Sequence, residues 1–180
     1  IFPSTFSKLA KLRSILSTGS PLVEESFEYV YKHVKKDVHL ASISGGTDII
    51  SCFALGSPTL EVVKGELQCR GLGMDVHSYD DNGKPIIEKK GELVCISAFP
   101  SMPVYFWNDR DGSKYKNAYF STFPGIWHHG DFIRISEKGS LKIYGRSDST
   151  LNPGGIRIGT SEIYRVVNSL DIIEDSLVIG

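Results

Sequence analysis

The chain has 180 residues, of which 41% are hydrophobic and 11% are aromatic, and this composition excludes an intrinsically disordered protein. A dedicated nucleic-acid binder would present a strongly basic surface, so the formal net charge of −1 predicts no nucleic-acid partner. No apolar run approaches the roughly 18 residues of a membrane span, so no membrane span is expected.

The first fifty residues follow a strand, helix, strand pattern. Residues 12–17 predict a short buried strand that ends at a glycine turn, and residues 38–43 predict a second strand. Between them, Ser20 is the predicted N-cap of a helix and Pro21 its first residue. The spacing of the apolar residues places on one face of this helix Val23, Phe27, Val30 and Val34. The pattern predicts an α/β fold and the end of a parallel α/β layer.

After residue 60 the chain changes to short strands separated by turn signals. The predicted strands are residues 76–79, 85–87, 91–96, 131–135 and 141–144. Two turns, at residues 81–83 and 137–139, each contain a glycine and predict hairpins. This stretch is therefore expected to form a small antiparallel, β-rich sheet or barrel.

The last part of the chain begins with a Gly- and Pro-rich loop over residues 148–160. Thr160 or Ser161 then caps a helix, whose predicted inward residues are Ile163, Val166, Val167 and Leu170. A final strand is predicted over residues 176–180. Because the first residue is Ile1 and the last residues are apolar, the chain is expected to be an internal piece of a longer protein.

The cysteines give information about the cellular compartment. Cys52, Cys69 and Cys95 are odd in number, widely spaced and without a C-x-x-C pair. This pattern supports neither a zinc site nor a disulfide framework. Reduced thiols in a cytosolic protein are expected instead.

Polar, Gly-rich segments stand at residues 17–21, 42–48 and 152–157, and the first two follow predicted strands. Ligands of open α/β sheets bind outside the carboxyl ends of the strands, and backbone N–H groups of such loops can approach a phosphate. Taken singly, each segment is better explained as an ordinary turn.

A second pair of motifs flanks the later hairpin. Asp131 opens one strand and Arg146 closes the next, so the hairpin would bring both to one end of the same sheet. A carboxylate suits the hydroxyls of a ribose and an arginine suits a phosphate, although a surface ion pair is the alternative. The neighbouring His128 and His129 are expected to be packing or polar-rim residues rather than a catalytic base.

The order of these motifs resembles the adenylate-forming superfamily of acyl-CoA synthetases. The matching motifs are Gly-Thr-Asp at 46–48, Gly-Asp at 130–131, Gly-Arg-Ser-Asp at 145–148 and Asn-Pro-Gly-Gly-Ile-Arg-Ile-Gly-Thr-Ser-Glu at 152–162. Residues 119–127 resemble the branch of acetyl-CoA and acetoacetyl-CoA synthetases, and residues 42–53 resemble the acetoacetyl-CoA synthetase family in particular. The resemblance covers nearly the whole chain from residue 12.

This resemblance implies an enzyme that ligates acetoacetate to coenzyme A, using ATP and passing through an acyl-adenylate, with release of AMP and pyrophosphate. A synthetase for acetate, propionate or butyrate is the alternative within this class, and a non-catalytic nucleotide-binding module is the alternative outside it. The superfamily also has a phosphate loop and a C-terminal lysine, which these 180 residues do not contain. The chain by itself is therefore expected to be inactive.

The resemblance also implies the nucleotide site. Gly19, Ser20 and Pro21 would lie against the adenine. Asp131 would bind the ribose hydroxyls, and Arg146 would lie near the ribose and the phosphate. The residues expected to act in catalysis are Thr47, Arg146 and Arg157.

Further roles follow from the same resemblance. Gly46 would belong to the nucleotide site, and Thr47 would bind near the α-phosphate and the acyl carboxylate. Asp48 stands where the superfamily usually has a glutamate, and it would help to hold Mg²⁺ near the phosphates. Gly155 would line the pantetheine path of coenzyme A, and Arg157 would contact phosphate.

Three domain parts are implied. Residues 1–70 would be the end of an N-terminal α/β adenylation domain, and residues 71–147 would be its β-rich subdomain. Residues 148–180 would hold the hinge, at Asp148, and the start of a mobile α+β C-terminal domain.

Gly45 is the residue expected to influence which acid is used. In acetyl-CoA synthetases a tryptophan typically stands two residues before the motif threonine and closes the acyl pocket. Glycine at this position would open space for acetoacetate, although Gly45 and Gly46 together are also a common turn signal.

Overall fold

A computed structural model describes residues 9–147, 160–167, 170, 172–173 and 176–178. Its strands are β1 (Ser14–Ser17), β2 (His39–Ser42), β3 (Ser44–Gly46), β4 (Ser51–Leu55), β5 (Cys69–Arg70), β6 (Val76–Tyr79), β7 (Pro85–Ile86), β8 (Gly91–Cys95), β9 (Trp127–Ile135) and β10 (Leu141–Arg146). Its helices are α1 (Glu24–Tyr29), continued by a π-helical turn (Val30–Val34), α2 (Ser113–Tyr119) and α3 (Thr160–Val167). In the ranges described, no helix is long and apolar enough to cross a membrane.

Strands β1 and β2 form a parallel pair, as the strand, helix, strand pattern predicts. The register runs from Ser14 opposite His39 to Ser17 opposite Ser42. The prediction that β1 is buried is wrong, because Leu16 is 65% exposed. Its sheet has two strands, so within the described part of the chain β1 has a neighbour on one side only.

The helix between these strands begins later than predicted. Val23 is its N-cap, with an extended backbone (φ −75°, ψ 156°), so the assignment of Ser20 as the cap and Pro21 as the first helical residue is wrong. Glu24 and Glu25 in the first turn favour a start here, because their charges complement the positive end of the helix dipole. Phe27 is fully buried as predicted, but Val23 is 39% exposed because it precedes the helix.

A three-stranded antiparallel sheet, ordered β3-β4-β5, follows β2. Its first strand lies in the Gly-rich segment 42–48, where a turn was predicted, and no strand was predicted at β4 or β5. Gly45 lies opposite Cys52 and Gly46 opposite Ser51, and the register shifts between Ser44 and Gly45. Such a shift bends the strand and increases its twist. It is the pairing with β4, and not a local turn signal, that makes this segment a strand.

The larger sheet has five antiparallel strands in the order β10-β9-β8-β6-β7 and confirms both predicted hairpins. In the first turn the Asp80 carboxylate accepts hydrogen bonds from the backbone N–H groups of Asn82 and Lys84, both at 2.9 Å. Strand β9 begins at Trp127, four residues before the predicted start at residue 131. Trp127 and His129 are buried on the same face as Asp131, which is why pairing continues to that point.

The main hydrophobic core lies where the two antiparallel sheets and α2 meet. Its buried residues include Ile49, Phe53, Leu93, Trp127 and Ile133. A bridge between Leu67 and Leu141, with N–O distances of 2.7 and 2.9 Å, joins the two sheets at one edge. This core draws residues from both sides of the predicted boundary at residue 70, and the division into domain parts stays a prediction.

The predicted C-terminal helix is present as α3. Ile163 and Val167 are partly buried, but Val166 is 61% exposed and Leu170 47% exposed, so the prediction that these two face inward is wrong. Val166 lies at the edge of the apolar stripe, and Leu170 lies beyond the end of the helix at Val167. Residues 176–178 form no strand; instead the Val178 N–H donates to the Tyr164 hydroxyl at 2.9 Å.

Replacing Leu93 by alanine should destabilise the protein by about 2–5 kcal/mol, because its fully buried side chain leaves a cavity in the core. The matched control is Leu72→Ala, where a leucine that is 96% exposed is truncated and a change within about 0.5 kcal/mol is expected. Denaturant unfolding of both variants measures the difference. Equal losses for the two leucines would contradict this account of the core.

Candidate functional site

The first two Gly-rich segments leave the same edge of the parallel pair. Ser17 lies opposite Ser42, so residues 18–21 and 43–46 start side by side at the carboxyl ends of β1 and β2. Gly19 has φ +96°, a left-handed conformation that glycine adopts at little cost. Gly19 and Ser20 are exposed and Pro21 is partly buried. This is the edge at which ligands of open α/β sheets bind.

Thr47 and Asp48 lie in an exposed turn that joins β3 to β4. The turn is held by backbone hydrogen bonds from Ile49 to Gly46 and from Ile50 to Thr47, both at 3.3 Å. Ile49 is fully buried in the core and anchors the turn from below. The positions of the exposed Thr47 and Asp48 are therefore fixed by the buried Ile49 and by the hydrogen bonds of the turn.

Gly45 is required by its own backbone surroundings. A Cβ atom at this position would lie 2.0 Å from the carbonyl oxygen of Ser51 and 2.8 Å from the Cα of Cys52, in the neighbouring strand. A tryptophan cannot stand here on this backbone. The absence of a side chain is therefore explained by the close approach of β4, and the influence of Gly45 on acid choice stays a prediction that Gly45→Trp cannot test cleanly.

Asp131 and Arg146 are directly opposite each other at the end of the β9–β10 hairpin, as predicted. The Asp131 side chain is 10% exposed and that of Arg146 is 46% exposed, with Oδ1 and a guanidinium nitrogen 3.8 Å apart. A nearly buried carboxylate thus faces an arginine at the rim. This pair offers acceptors and donors to a ligand that carries both hydroxyls and phosphate.

His129 joins this hairpin to the 45–48 segment. Its Nε2 lies 3.2 Å from the carbonyl oxygen of Gly45 and 3.5 Å from Oδ2 of Asp131. The ring packs edge-on against Phe53, with centroids 4.8 Å apart, so the expectation of a packing residue is confirmed. This bridging contact was not predicted from the sequence. The only signal for it is the alternation of β9, which puts residues 127, 129 and 131 on one face.

Tyr119 reaches the same segment from the other side. Its hydroxyl donates to the Asp48 carboxylate at 2.5 Å, and its ring stacks on Trp127 with centroids 3.6 Å apart. Partial burial, and then the hydrogen bond to Asp48, raise the pKa of the Tyr119 hydroxyl well above its ordinary value. Tyr119 was not predicted to be a neighbour of the site, because the contact with Asp48 spans 71 residues.

Glu92 holds the end of the β9–β10 hairpin in place through two side-chain contacts. Its Oε2 accepts a hydrogen bond from the Ser147 hydroxyl at 2.7 Å and lies 2.9 Å from Nε2 of His128. The Ser147 N–H also donates to the Gly130 carbonyl at 2.8 Å. These contacts fix the chain immediately before residue 148. His128 is thus a partly buried, hydrogen-bonded residue, in agreement with the sequence analysis.

Three predicted site residues, Asp148, Gly155 and Arg157, lie outside the described residues. Within the part of the chain that the structure describes, no three His, Cys, Asp or Glu side chains form a metal cluster. The exposed Asp48 carboxylate fits Mg²⁺, which is commonly bound by one or two carboxylates together with substrate phosphates. A carboxylate has about four lone-pair sites, so the Tyr119 contact is compatible with such a role.

Comparison with protein-family models finds no match for the chain. Among curated proteins, acetoacetyl-coenzyme A synthetase of Rhizobium meliloti (strain 1021) is 56% identical over 178 residues, which are 99% of this chain and 27% of that protein. Acetoacetyl-CoA synthetase of Gallus gallus is 54% identical over 176 residues, or 97% of this chain and 26% of the relative. The resemblance to acetoacetyl-CoA synthetases is therefore confirmed.

The solved structures agree with this result. Acetoacetyl-CoA synthetase from Streptomyces lividans superposes with a TM-score of 0.88 and 46% identity, covering 99% of this chain and 28% of that one. The anthranilate CoA ligase AuaEII, at a TM-score of 0.73 and 20% identity, shares the fold. The predicted α/β fold class is confirmed. The chain spans about a quarter of the length of the curated acetoacetyl-CoA synthetases that it matches.

Tyr119→Phe should make the free energy of unfolding less sensitive to alkaline pH. Since the pKa of Tyr119 is raised in the folded protein, the unfolded chain loses this proton first as the pH rises. The stability contributed by this group is complete below the ordinary tyrosine pKa of about 10 and is lost as the pH rises above it.

Denaturant unfolding at about pH 8 and about pH 10.5 tests this linkage. The wild type is expected to lose more stability between the two pH values than Tyr119→Phe does. Tyr105, which is 68% exposed, supplies the control Tyr105→Phe, which should follow the wild type. An identical loss in the wild type and in Tyr119→Phe would contradict the assignment.

Proposed function

We propose that this chain supplies part of the active site of an acetoacetate–CoA ligase. The complete enzyme would join acetoacetate to coenzyme A with ATP, through an acyl-adenylate, and release AMP and pyrophosphate. The observation that carries the proposal is the convergence of Asp131 and the 45–48 segment on His129, 3.5 and 3.2 Å from its Nε2. It brings the proposed ribose ligand beside the proposed phosphate and acyl segment. The names and identities of the relatives support the same reading.

The nucleotide would lie along the edge formed by β1, β2 and the β9–β10 hairpin. Asp131 would accept hydrogen bonds from the two ribose hydroxyls, a role suited to a carboxylate that is 10% exposed and held by its neighbours. Arg146, at the rim, would bind near the ribose and phosphate. The turn of Gly19, Ser20 and Pro21 would contact the adenine.

The acid and the α-phosphate would meet at the 45–48 segment. Thr47 would donate from its hydroxyl to the phosphate or to the acyl carboxylate, and Gly46 would allow the backbone to come close. Asp48 would hold Mg²⁺, which when bound neutralises negative charge on the phosphates. The chain's own contribution is position, since the segment rests on buried Ile49 and on the Tyr119 hydrogen bond.

The reaction would proceed in two steps. The acetoacetate carboxylate attacks the α-phosphorus of ATP and pyrophosphate leaves, and then the thiol of coenzyme A attacks the acyl carbon and AMP leaves. Donors aimed at the charge that develops on phosphate lower the first barrier, which is the role proposed for Thr47, Arg146 and Arg157. Gly155 would line the path of the pantetheine arm.

Domain motion would separate the two steps. The proposed domain parts are residues 1–70, 71–147 and 148–180, and Asp148 is the proposed hinge between the last two. The hydrogen bonds of Ser147 to Glu92 and Gly130 support this hinge, because they hold the residue before it and leave the φ/ψ change to the next one.

The proposed location is the cytosol. Cys52, Cys69 and Cys95 are free thiols, as expected where glutathione and thioredoxin keep cysteines reduced. Burial raises the pKa of all three thiols, which lowers the share of reactive thiolate at neutral pH.

The acid is tested by pyrophosphate release from the full-length enzyme with acetoacetate, acetate, propionate and butyrate. Acetoacetate is expected to give the highest kcat/KM. One methylene group is worth only about 1–3 kcal/mol in a pocket, so a preference over butyrate requires a group that recognises the 3-keto oxygen. A preference for a different acid would point to another short-chain synthetase. Absence of pyrophosphate with every acid would favour a non-catalytic nucleotide-binding module.

Asp131→Ala in the full-length enzyme should weaken ATP binding more than acetoacetate binding. Loss of hydrogen bonds to one charged group is expected to raise the ATP Kd by roughly 10- to 150-fold, corresponding to about 1.5–3 kcal/mol. Asp81→Ala, on the exposed turn between β6 and β7, is the control and should leave both affinities unchanged. An unchanged ATP affinity with weakened acetoacetate binding would refute the ribose role.

A further inference from the structure

We propose that His129 is a positioning residue, which couples the ribose carboxylate Asp131 to the 45–48 segment through its Nε2–H group. The inference rests on the proposed function for the identity of the ligands. It goes beyond that function by assigning a task to a residue outside the matched Gly-Asp motif. It also excludes His129 as a proton acceptor in the reaction.

The tautomer of His129 follows from its neighbours. The Trp127 indole Nε1–H can only donate, and it lies 3.4 Å from Nδ1 of His129. Nδ1 must therefore accept, which leaves the proton of the neutral ring on Nε2. The Gly45 carbonyl oxygen can only accept, and it lies 3.2 Å from Nε2. Both contacts thus require the same tautomer.

The Nε2–H group faces two acceptors that belong to different parts of the chain. One is the Gly45 carbonyl at 3.2 Å and the other is Oδ2 of Asp131 at 3.5 Å. A base would need an acceptor nitrogen directed at the substrate, but Nε2 carries the proton and Nδ1 is directed at Trp127. The ring is therefore placed to hold both groups and not to remove a proton.

Packing restricts the ring to this position. The His129 side chain is 6% exposed and its ring contacts Phe53 at a centroid distance of 4.8 Å. A Cβ atom on Gly46 would lie 2.8 Å from Cε1 of His129, so the glycine leaves the space that the ring fills. The side chain of residue 129 and the backbone of residues 45–46 fit together at contact distance.

The contacts of His129 fix the spacing of the two proposed subsites. A shift of the 45–48 segment relative to Asp131 would break the contacts of His129, so the distance between the proposed acyl and ribose subsites is set by this ring. Misplacement by about 1 Å can cost a reaction roughly a hundredfold in rate, which makes such a spacer valuable. The contact with Gly45 is made by the Nε2–H group, which donates to the carbonyl oxygen.

Two amide substitutions separate this role from simple packing. A glutamine at position 129 places its amide N–H near the position of Nε2, whereas an asparagine reaches only near Nδ1. His129→Gln should therefore keep the bond to Gly45, and His129→Asn should lose it. His129→Leu removes all hydrogen bonding and retains bulk.

The test measures pyrophosphate release at saturating ATP and acetoacetate in the full-length enzyme, together with the melting temperature. We expect His129→Gln within about threefold of the wild type and His129→Asn and His129→Leu lower by about tenfold, the usual effect of one lost hydrogen bond. His77→Leu, in β6 on the same sheet, removes a contact with Asp75 that lies outside the site; it is the control for activity and should match the wild type in pyrophosphate release.

Affinity for a non-hydrolysable ATP analogue, measured without acid, separates this inference from the proposed function. It should fall about tenfold in the Asn and Leu variants and stay near the wild-type value in the Gln variant. Equal affinities in all four proteins would overturn the positioning role even if the wild type is active. Losses that follow the melting temperature in all three variants would also overturn it, because the ring would then act only in packing.

Discussion

The structure depends above all on the burial of Trp127 between the two antiparallel sheets. The indole is 1% exposed and contacts Phe53, Phe99 and Tyr119, the last in a stacked arrangement. Aromatic side chains of this size dominate the energetics of a small core. The same ring also orients polar groups, since its N–H faces His129 and its surface supports Tyr119. Core packing and site geometry therefore share one residue.

The candidate site is a polar layer laid on this core. Asp131 and His129 are nearly buried, and such groups are tolerated only when hydrogen bonds satisfy them. In such surroundings hydrogen bonds are stronger and more directional than in water, so the groups keep their positions before a ligand arrives. Thr47 and Asp48, in contrast, are exposed and available to bind. A mechanism that depends on positioning requires both kinds of group: buried ones that are already oriented, such as Asp131, and exposed ones that a ligand can reach, such as Thr47.

Local signals predicted the local features well. The turn at Asp80 folds through hydrogen bonds within five residues, and the hairpin it closes was predicted correctly. The predicted start of α1 was wrong. Ser20 and Pro21 form a strong cap signal, but the extended backbone of Val23 makes Glu24 the first helical residue. None of the strands β3, β4 and β5 was predicted. The residues of β3 and β5 carry few strand-forming side chains, and these two strands pair only with β4.

The sequence by itself determined the motif order, the resemblance to acetoacetyl-CoA synthetases and the meeting of Asp131 with Arg146, because a hairpin brings close neighbours in the chain together. Only the tertiary structure decided that His129 contacts Gly45 and that Tyr119 contacts Asp48, across 84 and 71 residues. The tertiary structure also shows why residue 45 is a glycine, since the backbone of β4 leaves no room for a Cβ atom there. Contacts between distant segments depend on how the sheets pack and on the register of the strands, and local sequence patterns determine neither.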